Sequence, residues 1–89
     1  MTNFREHLGQ VIRNERVSQG RSLRDLSKSA HMSLGYLSEV ERGQKEISSE
    51  ILHNLCEAMF MSVQSVLIEV VVSMNAELDV EMPSELSVL

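Results

Sequence analysis

The sequence predicts an all-α chain of five short helices, and three observations carry that expectation. Apolar residues recur at intervals of three and four along most of the first 74 positions, the period of a helix with one buried face. Serines stand where helices would begin, and Gly20 and Gly43 stand where two of them would end. Aromatic residues are only 3% of the chain and Trp is absent, so the core must be built from Leu, Val, Ile and Met, which suits packed helices.

The first helix is expected over residues 4–19. Phe4, Leu8, Val11 and Ile12 fall at i, i+4, i+7 and i+8 on one stripe, and Gly20 follows as a residue free to turn left-handed. Ser22 caps a second helix over 23–30, with Asp25 three residues on in a near capping box. Leu23, Leu26 and Ala30 point inward. The turn His31-Met32-Ser33 leads to a third helix over 34–42, capped by Ser33 and stopped by Gly43. After a polar loop, Ser48 or Ser49 caps a fourth over 50–59, with Ile51, Leu52, Leu55, Cys56 and Met59 as its apolar face and Glu50 suited to its N-terminal dipole. Met59-Phe60-Met61 is read as adaptable core packing. Ser62 caps a fifth helix over 63–74. Beyond it, Leu78, Val80 and Met82 alternate with acids, a pattern shared by strands and by disordered acidic segments, and Pro83 closes any regular element. The expected organisation is therefore one domain over 1–72 and an acidic-hydrophobic tail over 73–89.

With 89 residues the chain holds one modest core and lacks the length for an enzyme with a deep cleft. The one cysteine, Cys56, excludes a disulfide framework within the chain, and no apolar leader or bilayer-spanning run is visible, so a reducing, cytoplasmic setting is expected. The net charge is −5, yet its distribution matters more than its sum. All eight basic residues lie in 1–45 with five acids, while 46–89 hold eight acids and no base. A basic working half and an acidic remainder fit a nucleic-acid-binding face.

Two short helices joined by a tight turn form a helix-turn-helix, whose second helix enters the DNA major groove N-terminus first. Ser33, Leu34, Gly35, Ser38 and Glu39 are the residues its first turns present. Small side chains permit close approach, Glu39 can accept from a cytosine amino group, and Leu34 can meet a thymine methyl or turn into the core. Arg21, Arg24, Arg42, Gln44 and Lys45 flank the unit as phosphate ligands, Ser22 and Ser33 mark helix N-termini, and Tyr36 can reach a phosphate or a sugar.

The stretch "SLRDLSKSAHMSLGYLSEVERGQK" resembles the helix-turn-helix of the Cro/C1-type (XRE) transcription regulators, with Ser33, Tyr36, Leu37, Ser38, Val40, Glu41, Arg42 and Gly43 matching the family pattern. Across "SLGYLSEVERGQKEISSEIL" it more narrowly resembles the actinobacterial regulators of Clp-protease genes. The resemblance spans about residues 8–67. It implies a five-helix, lambda-repressor-like domain that binds double-stranded DNA without a cofactor, and activation of protease and stress genes. It also implies that Arg16 and Glu41 form an internal ion pair tying the first helix to the recognition helix. Two positions depart from the family: Leu23 stands where many members carry a DNA-touching Gln, and His31 stands at the usual turn Gly.

The fifth helix is unusually apolar, and Val63, Val66, Leu67, Val70, Val71 and Met74 are read as a two-fold dimer interface, which would set two recognition helices about 34 Å apart on a pseudo-palindromic site. The tail is an activation surface, with RNA polymerase as its candidate partner, a dimer arm or a degradation tag; the residues do not choose. His53 and Cys56 share a helix face but lack further ligands, so no metal site is expected. No nucleophile motif is present. The rival readings are an antitoxin-like subunit whose acidic half covers a protein partner, and a phage-type repressor.

Overall fold

The computed structural model of the chain describes residues 3–78. Five helices form: α1 (Phe4–Ser18), α2 (Leu23–Ser29), α3 (Leu34–Glu41), α4 (Ser49–Ala58) and α5 (Val63–Leu78), with no strand among the described residues. Their beginnings follow the sequence. Ser22, Ser33, Ser48 and Ser62 each accept a hydrogen bond at the side-chain oxygen from the backbone N–H three residues on, at 3.0–3.1 Å. Asn3 does the same for α1, and Glu6 returns a bond to the Asn3 N–H.

At α2 the Asp25 carboxylate accepts from the Ser22 N–H at 3.2 Å, completing a capping box. That backbone bond, aided by the Ser22 side chain, holds the Asp25 pKa below its ordinary value. The cap's contribution is therefore fully present above the usual aspartate pKa and is lost as pH falls through the depressed folded one. A carboxyl-detected NMR titration is expected to find Asp25 ionising below free aspartate, with α2 amide exchange rising in the same acid range. A midpoint at or above the free value would mean the box does not form.

The helix ends are less regular than the sequence suggests. Gly20 and Gly43 adopt φ of +69° and +76° as expected, but His31 and Phe60 also sit at φ of 57° and 58°. For a side-chain-bearing residue this conformation costs about 1–2 kcal/mol. Both residues close the same kind of turn. His31 and Met32 donate to the carbonyls of Lys28 and Ser27, and Phe60 and Met61 to those of Glu57 and Cys56. His31 thus takes up a left-handed conformation of the kind glycine most readily supplies.

Leu8 and Ile12 from α1, Leu26, Leu37, Leu55, Met59, Val66 and Val70 are almost fully buried and make the centre of the core. α1 packs on α5 and α3, α2 on α3 and α4, and α4 on α5. Two expected core residues are corrected: Phe4 is 46% and Phe60 90% exposed. Phe4 lies at the open end of α1, and the positive φ of Phe60 turns its side chain out while Met59 and Met61 stay inward. α5 also runs four residues past Met74, across the expected boundary at 72/73. No Gly or Pro interrupts it before Pro83, Ala76 and Glu77 are good helix formers, and Met74 still packs on the core. The remainder of the expected tail, 79–89, lies outside the described residues. No single helix among those described is long and apolar enough to cross a membrane.

Candidate nucleic-acid interface

The pair α2–α3 is held from below. Leu26 on α2, Ala30 at its C-terminal cap, and Leu37 and Val40 on α3 are buried, so the opposite face of α3 is presented outward. On that face Ser33, Leu34 and Gly35 are exposed and Ser38 and Glu39 half-buried. Nothing lies within 4 Å of where a Gly35 Cβ would sit, so this surface is open to a partner's backbone. Leu34, left open between groove and core in the sequence, is 37% exposed.

Behind this face stands a set of charged contacts. Arg42 donates from Nη1 to Ser38 Oγ at 2.6 Å and from Nε to Gln44 Oε1 at 3.4 Å, so its guanidinium lies along the last turn of α3. Lys45 Nζ stands 3.9 Å from Glu39 Oε2, both half-exposed. An exposed pair at this distance is worth little as stabilisation and leaves both groups available to a ligand. Arg24 is exposed on α2.

Two expected contacts have other partners. Arg21 donates to the Ala58 carbonyl and to Ser29 Oγ, and, with Gln19 Nε2 on the Met59 carbonyl at 2.7 Å, it closes the C-terminal end of α4. Tyr36 is half-buried and its phenol donates to the Glu46 carbonyl at 3.0 Å, fixing the loop after α3. Neither bond is readable from sequence, because each joins elements that only the fold brings together. Leu23 packs against the core, which is why an apolar residue is accepted there.

Arg16 and Glu41 meet in a two-point ion pair, Nε to Oε2 at 2.7 Å and Nη2 to Oε1 at 3.0 Å. Arg16 Nη1 also donates to the Arg21 carbonyl. The Glu41 hydrogen bond raises the Arg16 pKa above its ordinary value against the opposing effect of burial. The pair fastens α3 to α1.

The expected dimer residues divide. Val66 and Val70 are buried in the monomer's own core, which corrects them to core positions, while Val63 and Met74 are half-buried against it. Leu67 (38% exposed) and Val71 (51%) do face solvent, and with them Ile68 (64%) and Val72 (58%), which periodicity did not single out. Because the helix is apolar on nearly every side between Val66 and Val72, periodicity alone could not orient it. His53 pairs with Glu57 at 3.0 Å and Cys56 is buried, its thiol pKa raised by desolvation. Among the described residues no group of three or more His, Cys, Asp or Glu could hold a metal.

A capped helix pair whose second member shows an open, basic-flanked face, braced by three further helices, defines a helix-turn-helix protein. The profile of the helix-turn-helix family matches residues 12–66, and the chain belongs to that family. Within it, the chain is 55% identical over 65 residues to the Transcriptional regulator ClgR of Mycobacterium tuberculosis, in strains CDC 1551 / Oshkosh and H37Rv. The match takes in 73% of this chain and 58% of those relatives, so the chain spans less than two thirds of their length. The crystal structure of the clp gene regulator ClgR from C. glutamicum superposes with a TM-score of 0.79 at 47% identity, covering 83% of this chain and 96% of that one. The restriction-modification controller protein C.AhdI from Aeromonas hydrophila follows at TM-score 0.67 and 26% identity, over 68% and 92% of the two chains.

Proposed function

We propose that the chain is a sequence-specific, double-stranded-DNA-binding transcription regulator. It acts in the cytoplasm as a homodimer on a pseudo-palindromic operator, and it activates Clp-protease and stress genes through RNA polymerase. The observation that carries this reading is the outer face of α3, open at Gly35 and edged by Arg24, Arg42, Gln44 and Lys45. The ClgR likeness supports the choice of target genes. In this reading Ser33, Leu34, Gly35, Ser38 and Glu39 meet base edges, while the basic residues meet phosphates. Tyr36 and Arg21 act by holding that surface in place.

Selection of genomic fragments by the purified protein at two salt concentrations tests it. A short inverted repeat, bound with steep salt dependence, is expected; a folded protein that recovers no common sequence overturns it. Arg42→Ala and Lys45→Ala are expected to weaken binding to every duplex and to flatten the log–log salt slope by about 0.9 for each phosphate no longer neutralised. Glu39→Ala is expected to change the preferred sequence instead.

Dimerisation is assigned to the outward stripe of α5, Leu67, Ile68, Val71 and Val72. Four contiguous exposed aliphatic side chains on one helix are the kind of surface a two-fold contact removes from water. Val71→Glu is expected to leave the fold intact, since Val71 is half-exposed, and to yield a monomer by light scattering with much weaker operator binding. A dimer that survives this change would place the contact elsewhere.

A further inference from the structure

We propose that the cleft between α1, the end of α3 and α5 receives a backbone phosphate of the bound DNA, with Arg13 as its ligand. The inference rests on the DNA-binding reading and extends its surface to a helix outside the helix-turn-helix. The cleft has a volume of about 520 Å³, and Arg13 and Gln10 of α1 face Arg42 and Gln44 across it. Arg13 is exposed and makes no hydrogen bond or ion pair among the described residues, unlike Arg16, Arg21 and Arg42. Its charge is therefore uncommitted.

Two carboxylates also line the cleft, and their states decide its sign. Glu41 is bound at both oxygens by Arg16 and is almost buried, so it is neutralised. Glu6 is exposed; it returns a long bond of 3.5 Å to the Asn3 N–H, and its carbon chain lies against Gly43. Two guanidiniums thus oppose one free carboxylate, and the cleft favours an anion. Its floor is firm, since His7 is buried and hydrogen-bonded to Ser73 Oγ at 2.7 Å, joining α1 to α5. The occupant follows from position. Arg42 and Gln44 continue directly from the recognition helix, so a duplex seated on α3 carries its flanking strand past the mouth of the cleft. A phosphodiester offers the anionic oxygens that paired guanidiniums match.

The test measures binding of the full chain to a random-sequence duplex and to the selected operator across a salt series, for Arg13→Ala, Arg13→Lys, Glu6→Gln and Arg42→Ala. Arg13→Ala is expected to lower affinity several-fold on both duplexes and to flatten the salt slope by about 0.9. Arg13→Lys is expected to restore the slope, and Glu6→Gln, which keeps the capping box, to raise affinity. Slope is the deciding readout because a purely structural role for Arg13 would leave it unchanged. An unchanged slope for Arg13→Ala beside a flattened one for Arg42→Ala overturns the cleft assignment and leaves the DNA-binding reading standing; unchanged slopes for both overturn that reading as well. If millimolar inorganic phosphate shifts the Arg13 Nε resonance while DNA binding is indifferent to Arg13, the cleft holds a free anion and the DNA assignment fails.

Discussion

Glu41→Ala is expected to remove about 3–5 kcal/mol of folding stability, the usual cost of deleting one partner from a buried ion pair. Small domains hold about 5–15 kcal/mol in total, so the variant should melt far earlier or fail to fold. The magnitude comes from what is left behind. The Glu41 side chain is 7% exposed and that of Arg16 14%, and two bonds of 2.7 and 3.0 Å join them. Without the carboxylate, the guanidinium keeps only the Arg21 carbonyl as a partner among the described residues. Arg16 cannot escape by losing its proton. A guanidinium stays protonated throughout the accessible pH range whatever its neighbours; in the parent, the Glu41 hydrogen bond raises the Arg16 pKa, so the pair's contribution is present below the unfolded pKa and is lost only as pH rises through the folded one. Urea unfolding of Glu41→Ala, of Glu41→Gln and of the double change Arg16→Met/Glu41→Leu should rank the single alanine as the most damaging, because the apolar pair strands no charge. A loss under about 1 kcal/mol would mean that the pair behaves as a solvated surface contact.

The pair also shows which parts of this protein a sequence can disclose. Element starts are legible because capping is local: each serine and the N–H it accepts from are three residues apart. The outer face of α3 is legible for the same reason, since Leu37 and Val40 fix which side is inward. The close of α4 is not. Phe60 takes a left-handed conformation there with no glycine to announce it, and the turn is held by Gln19 and Arg21 from far along the chain. The roles of Arg21 and Tyr36 are hidden alike, because a basic or phenolic group beside a helix-turn-helix looks the same in sequence whether it meets a phosphate or a backbone carbonyl. In α5, apolar residues on every side hide the difference between Val66 and Val70, which fill the core, and Ile68 and Val72, which leave it.

Gly9 has no signature in the sequence, yet Gly9→Ala is expected to damage the fold strongly. In the interior of an ordinary helix this change stabilises by about 0.5–1 kcal/mol. Here α1 crosses the last turn of α3 so closely that a Cβ on Gly9 would stand 2.4 Å from the Val40 carbonyl oxygen and 2.6 Å from that of Glu41. Both obstacles are backbone, and both belong to a turn fixed by buried Val40 and by the Arg16–Glu41 pair, so neither can swing aside. Relief requires α1 and α3 to separate, which lengthens that pair and opens the core around Leu8 and Ile12. Overpacking of this kind costs about 1–3 kcal/mol, and the stretched ion pair adds to it. The recognition helix moves with α3, so the binding loss should exceed what the unfolded fraction explains. Gly35→Ala is the control: its Cβ meets nothing within 4 Å, so its melting temperature should hold or rise while DNA affinity falls because the duplex is held farther off. Thermal melts and duplex titrations of the two variants separate the cases, and a Gly9→Ala protein as stable as the parent would mean that α1 and α3 stand farther apart than this packing requires.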